Sequence, residues 1–272
     1  MPLLLRLHHP LTVPLEVDRI QMDDVCTRSA QEVAEMLIFR GNKQLPVGEF
    51  FDVQGSASED RTIIWQGDCS RVKKIGAKLN GGTMRVEGSA GMHLGAAMTA
   101  GSIVVDGNVD DWAGAEMHGG HIRIRGSAGN SLGAGYPGAR RGMTGGTILV
   151  DGNVGDNAGQ TMRRGLIAIA GNVGHSTGHG MIAGTILCLG RIGQWTGAGM
   201  KRGTIGCFGE PSEIELLPTF QMACQYRPVF LQILWRHLKS LDFDIPSDLM
   251  NSPITRHCGD LITTGQGEIL TR

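Results

Sequence analysis

The chain has 272 residues, a mass of 29.0 kDa, a formal net charge of −1 and a pI near 6.7, so nothing in its overall charge draws it to nucleic acid or an anionic membrane. No run approaches the roughly eighteen apolar residues of a membrane span, and MPLLLRLHHP lacks the apolar core and cleavage site of a secretory signal. The six cysteines form no CxxC pair, which points to a reducing, cytoplasmic setting.

Taken in chain order, LLLRLHH reads as a strand, and Ser29 with Glu32 forms a capping box. That box predicts a short amphipathic helix over SAQEVAEMLIF, ended at Gly41, before a strand at FFDVQG. Residues 1–60 are therefore expected to form a small α/β cap. Residues 61–81 read as a degenerate first coil, with Ile63 and Trp65 inward and Trp65 plugging the base of the core.

From Gly82 the chain realigns with itself every nineteen residues. The units start at Gly82, Gly101, Gly120, Gly146, Gly165, Gly184 and Gly203, and only the third, at twenty-six residues, is longer. Glycine holds positions 1, 7 and 14, and methionine holds position 17 in Met98, Met117, Met143, Met162, Met181 and Met200. Glycine costs about 1 kcal/mol against alanine inside a helix, and no glycine-free run here exceeds six residues, so helix is excluded. Positions 3 and 5 are apolar and mostly β-branched, as in Ile103 and Val105, which is the alternation of a half-buried strand. A mainly β chain follows: over residues 61–210, one coil of a parallel β-helix per unit, with glycine at the corners. Hexapeptide left-handed helices require multiples of six, and nineteen is not one.

The long third unit contains GAGYPGARRG, where Gly133, Gly135 and Gly138 spell G-x-G-x-x-G. A dinucleotide loop must open a helix, whereas here a strand, TILVDG, follows, so the spacing is accidental. Arg140 and Arg141 sit on a protruding loop, either as an anion or partner contact or simply solvated.

Outward positions 4 and 6 turn apolar in the last units: Ala168 and Ala170, Leu187 and Leu189, Gly206 and Phe208. Such a face requires a cover, either the C-terminal segment 211–272 or another subunit. That segment offers a helix from Pro228, PVFLQILWRHLKSL, with Phe230, Ile233, Leu234, Leu238 and Leu241 along one side. Pro246, Pro253, Gly259, Gly265 and Gly267 read as loops and turns.

Candidate chemistry is sparse. His175 and His179 stand four apart, but without the helix or the further ligand a zinc site needs. Cys188 and Cys207 share position 5 and read as stacked buried thiols. The methionine column reads as core filling, and Asp110 and Asp111 as a solvated corner or a partner contact. No nucleophile–base–orienter set is present, so no catalytic, cofactor-binding or metal-binding residue is expected on this chain.

The repeat, with RGNKQLPVGEFFDVQG, GDCSRVKKIGAKLNGG and RHCGDLITTGQGEIL, resembles the C subunit of formylmethanofuran dehydrogenase and its bacterial relative in the formyltransferase/hydrolase complex. The same repeat closes the large subunit of glutamate synthase. The resemblance implies a right-handed β-helix serving as a non-catalytic scaffold beside the A, B and D subunits. In that assembly a formyl group passes from formyl-tetrahydromethanopterin to a methanofuran-type carrier and is released as formate. Carriers and metal would belong to the partner subunits. Three alternatives stay open: the C subunit of a molybdenum or tungsten dehydrogenase, a free-standing glutamate-synthase-type structural domain, and a solitary β-helix enzyme. The last would require a column of acids or histidines that the sequence does not show.

Overall fold

Alternating aliphatic residues followed by a glycine, repeated at fixed length, leave the chain one economical way to bury them: each unit lays its strand beside the last. The computed structural model describes residues 1–210, 214–250 and 252–272. The N-terminal elements are β1 (Leu3–Leu7), β2 (Leu15–Glu16), α1 (Met22–Val25), α2 (Ala30–Ala34), β3 (Leu37–Arg40), β4 (Lys43–Pro46) and β5 (Phe51–Gln54). Next come β6 (Thr62–Gln66), β7 (Val72–Lys73), β8 (Asn80–Glu87), β9 (Ala100–Val105), β10 (His121–Ile124), β11 (Thr147–Val150), β12 (Leu166–Ile169), β13 (Thr185–Cys188) and β14 (Arg202–Cys207). The chain closes with β15 (Gln221–Tyr226), α3 (Val229–Ser240), β16 (Ile254–Gly259) and β17 (Gln266–Thr271).

The protein is mainly β, with one large mixed sheet of thirteen strands in the order β15-β16-β17-β14-β13-β12-β11-β10-β9-β8-β6-β1-β5 and a smaller sheet β4-β3-β2-β7. From β1 and β6 through β14 to β17 neighbouring strands are parallel, and equivalent repeat positions face each other, as Ile148 faces Ile167 and Cys188 faces Cys207. A second ladder of parallel bridges runs through position 9: Cys69, Ala90, Val109, Ala128, Val154, Val173 and Ile192. The long third unit does not break either ladder.

Side chains lock the units together. Every position-17 methionine is fully buried. Its Cε reaches the position-1 glycine two units on: a Cβ added at Gly146 would lie 2.7 Å from Met117 Cε, and one at Gly184 3.0 Å from Met162 Cε. The same contact recurs at both ends, with Met22 of α1 against Gly82 and Met200 against Gly267. At position 7 the constraint is backbone, because a Cβ at Gly126 would lie 2.6 Å from the Gly107 carbonyl oxygen. Positions 8 and 11 add polar ladders. Asn108 Oδ1 accepts from the Ser127 amide at 2.8 Å and Asn153 Oδ1 from Asn172 at 2.8 Å; Asp111 Oδ1 accepts from Asn130 at 2.6 Å and Asp156 Oδ1 from His175 at 2.7 Å.

The apolar outer face is covered by the chain itself. Leu149, Ala168, Leu187, Phe208 and Leu270 form one buried cluster with Leu231, Trp235 and Leu238 of α3, and with Phe243, Ile245 and Leu249 beyond it. Arg123 fastens the edge of this cover: it pairs with Asp151 at 2.6 Å, donates to the Asp242 carbonyl at 3.0 Å and lies over the Phe243 ring.

Four expectations need correction. The capping box forms, but its helix stops at Ala34 and Leu37–Arg40 is a strand, because β3 pairs with both β2 and β4. Trp65 is buried but is not the base plug, since β1 continues the stack beneath it with Leu5 facing Trp65, and β5 lies beyond. The buried face of α3 is Leu231, Trp235 and Leu238; Phe230 and Ile233 point outward. Gly259 and Gly267, read as turn residues, lie in β16 and β17, and β17 adds a further unit with Ile269 facing Ile205.

Trp235→Ala should cost about 3–5 kcal/mol, as expected for a buried aromatic, and Gly126→Ala about 1–3 kcal/mol from overpacking against backbone. Urea denaturation of each variant checks both.

Candidate functional site

The insertion in the third unit falls between repeat positions 14 and 17. The Met143 amide still donates to the Gly133 carbonyl at 2.9 Å, just as Met117 does to Gly114 at 3.1 Å in the unit before, so the extra residues leave and rejoin without disturbing the register. The Gly142 amide donates to the Thr161 carbonyl at 3.0 Å, which pins the base of the loop to the following unit.

This loop lays Tyr136 across the units before it. Its ring stacks on Trp112, with centroids 5.0 Å apart, and its hydroxyl shares a 2.9 Å hydrogen bond with His93 Nδ1. Its amide donates to Glu116 Oε1 at 3.2 Å. Lys74, His93 and Trp112 are equivalent positions of successive units, each at a φ near +65°, where the backbone turns and the side chain stands outward. Ala77, Ala96 and Ala115 form a narrow floor beside them. The result is a cleft of about 440 Å³ walled by Asp18, Lys74, Lys78, His93, Glu116 and Tyr136. On the other side of Glu116 a second cleft, about 420 Å³, is lined by His118, Arg140, Arg141 and Thr144.

Burial, reinforced by Lys73 and Lys74, holds His93 below the ordinary histidine range, and burial raises the Tyr136 phenol. Lys74 is raised by its hydrogen bond to Glu16, 2.6 Å away. The cleft thus combines the Tyr136 and His93 rings, an alanine floor, the Lys74 and Lys78 ammoniums and the Asp18 and Glu116 carboxylates.

The residues singled out from sequence are dispersed. Arg140 and Arg141 are exposed on the loop and open onto the second cleft. His175 stands against Trp195, and its Nδ1 accepts from the Gln194 amide at 3.1 Å, which commits that nitrogen to the polar ladder. His179 lies in the same unit. Among the described residues no three His, Cys, Asp or Glu side chains converge to hold a metal ion. Cys188 and Cys207 are buried free thiols; burial pushes Cys188 up to about 12 and Cys207 higher still. Asp111 ties two units, while Asp110 stays exposed and accepts from the Asp111 amide at 2.9 Å. The sequence reading missed Trp112, His93 and Tyr136. The first two sit nineteen residues apart at one repeat position, so that half of the cluster was open to notice.

His93, His121 and His257 all lie below the ordinary histidine range, with burial the leading cause in each. The unfolded chain then binds more protons, so stability is full above pH about 6.5 and declines as pH falls through the lowered folded values. Urea midpoints from pH 7.5 to 5 should show this decline, and it should be shallower in His93→Gln.

Residues 68–217 match the GXGXG motif family. Over 87 residues the chain is 38% identical to the C subunit of the molybdenum-containing formylmethanofuran dehydrogenase 1 of Methanosarcina barkeri, covering 31% of this chain and 29% of that one. Over 92 residues it is 36% identical to the C subunit of the tungsten-containing formylmethanofuran dehydrogenase 2 of Methanococcus maripaludis, covering 34% of each. The matched stretch thus spans about a third of these curated relatives. A chain of the formyltransferase/hydrolase complex of Methylorubrum extorquens, crystallised with methylofuran, superposes with a TM-score of 0.91 at 34% identity, covering 98% of both chains. The matched motif fills more than half of the sequence and the structural likeness nearly all of it; the chain belongs to the GXGXG motif family and is a homologue of the C subunit of formylmethanofuran dehydrogenase.

Proposed function

We propose that this chain is a non-catalytic scaffold subunit of a formyltransferase/hydrolase assembly, in which its stacked units wind into a right-handed parallel β-helix that positions the catalytic subunits. The supporting observation is the end-to-end likeness to a chain of such a complex, with a TM-score of 0.91 over 98% of both chains. On this reading a formyl group moves from formyl-tetrahydromethanopterin to a methanofuran-type carrier and leaves as formate, in the cytoplasm. The carriers and the metal belong to partners corresponding to the A, B and D subunits. Arg140 and Arg141, on the one loop that interrupts the repeat, face a partner.

The physical support is stiffness. Each unit is tied to its neighbours by parallel strand pairing, by the position-9 bridges and by the side-chain ladders, so binding costs this surface little conformational entropy. Among the described residues no helix is long and apolar enough to cross a membrane. The second reading, the C subunit of a molybdenum or tungsten dehydrogenase, draws on the 38% and 36% identities, but these cover only 29% and 34% of those relatives.

Purifying the assembly from its native host through a tag on this chain tests the proposal. The expected result is a hetero-oligomer that releases formate from the formylated carrier without a redox partner, together with an isolated chain that has no such activity. Stoichiometric molybdenum or tungsten in the assembly would favour the dehydrogenase reading. Hydrolysis of the formylated carrier by the isolated chain would overturn the scaffold role.

A further inference from the structure

The first turns of α3 are apolar on both sides. Leu231, Trp235 and Leu238 are buried against the sheet, yet Val229 is 74% exposed, Ile233 64% and Phe230 39%. A helix that is hydrophobic all round belongs in an interior, and an exposed apolar strip with a polar rim marks a docking surface. The charged residues that the helix and the residue before Pro228 contribute here have one sign. The helix contains no Asp or Glu, and Arg227 just before it and Arg236 just beyond Ile233 are exposed with no ion-pair partner among the described residues. Met222, 66% exposed, lies on β15, the edge strand that leads into the helix.

Resting on the scaffold reading above, we propose that the strip Val229–Phe230–Ile233, flanked by Arg227 and Arg236, docks a partner subunit whose contact surface is apolar at its centre and rimmed by carboxylates. A second copy of this chain fits less well. An antiparallel self-contact about Ile233 sets Arg227 of one copy against Lys239 of the other, like charge on like.

Hydroxyl-radical footprinting of the intact tagged assembly and of the free chain tests this, alongside Ile233→Glu and Arg236→Glu. Phe230 and Ile233 should be oxidised readily in the free chain and protected in the assembly. Each variant should weaken co-purification of the other subunits about tenfold or more, the scale of losing an interface anchor. Both side chains face water in the free chain, so its thermal melting should not change. Equal oxidation in both states, with full co-purification by Ile233→Glu, overturns this surface and leaves the scaffold reading standing. Unchanged co-purification by Arg236→Glu alone overturns the acidic rim. A free chain that is dimeric by light scattering and becomes monomeric in Ile233→Glu overturns the hetero-partner in favour of self-association. Absence of any stoichiometric partner overturns both readings.

Discussion

The structure depends on a single steric arrangement: the terminal atoms of one side chain occupy the volume in which a glycine two units away would carry its Cβ. Methionine plays this part against the position-1 glycines, as Met98 does against Gly120, and the δ-methyl of a position-3 isoleucine plays it against the position-14 glycines, as Ile167 does at Gly133. Glycine and its filler are therefore one packing element divided between different units. This explains why the glycines and the position-17 methionines recur together while the outward residues vary freely. Methionine suits the column because its unbranched, flexible side chain fills an irregular gap.

Much of this was legible in sequence because a repeat multiplies each signal. The inward positions 3 and 5, the stacked thiols Cys188 and Cys207, and the apolar outer face around Leu187 followed from alternation and periodicity alone, and each has its counterpart in the buried clusters. Single occurrences were harder to read. Gly267-Glu268-Ile269-Leu270-Thr271 carries the G-x-I alternation of a unit, but it stands more than sixty residues beyond the last obvious one, and only its pairing with β14 and the Met200 contact identify it. Leu3 and Leu5 sit inward like a position 3 and a position 5 without any glycine to announce them. In α3 the helical period suggested a side through Phe230, Ile233, Leu234, Leu238 and Leu241, and no local rule says which residues meet Phe208; Trp235 decides it by packing edge-on against that ring, with centroids 5.5 Å apart.

The cluster around Tyr136 was invisible for another reason. Its members come from three units and an insertion, and the contact between Tyr136 and His93 joins residues forty-three apart along a path that only the stack defines. An insertion between positions 14 and 17 costs the fold little, because the Met143–Gly133 hydrogen bond closes it at its base. The insertion is thereby confined to one face while the ladders on either side of it continue unbroken. The polar ladders act in the same direction: Asp111 and His175, singled out in sequence, and Asp156 with them, spend their acceptors holding one unit to the next.

The most direct measurement of the central claim is a double-mutant cycle on Met162 and Gly184, followed by urea denaturation. At Gly184 an added Cβ meets Met162 Cε at 3.0 Å and Met162 Sδ at 3.3 Å, with the Gly165 carbonyl oxygen equally near at 3.3 Å. If glycine and methionine form one packing element, Met162→Ala relieves part of the damage done by Gly184→Ala, and the coupling is about 1 kcal/mol or more. Losses that add to within about 0.5 kcal/mol would show the two columns to be independent and contradict the account.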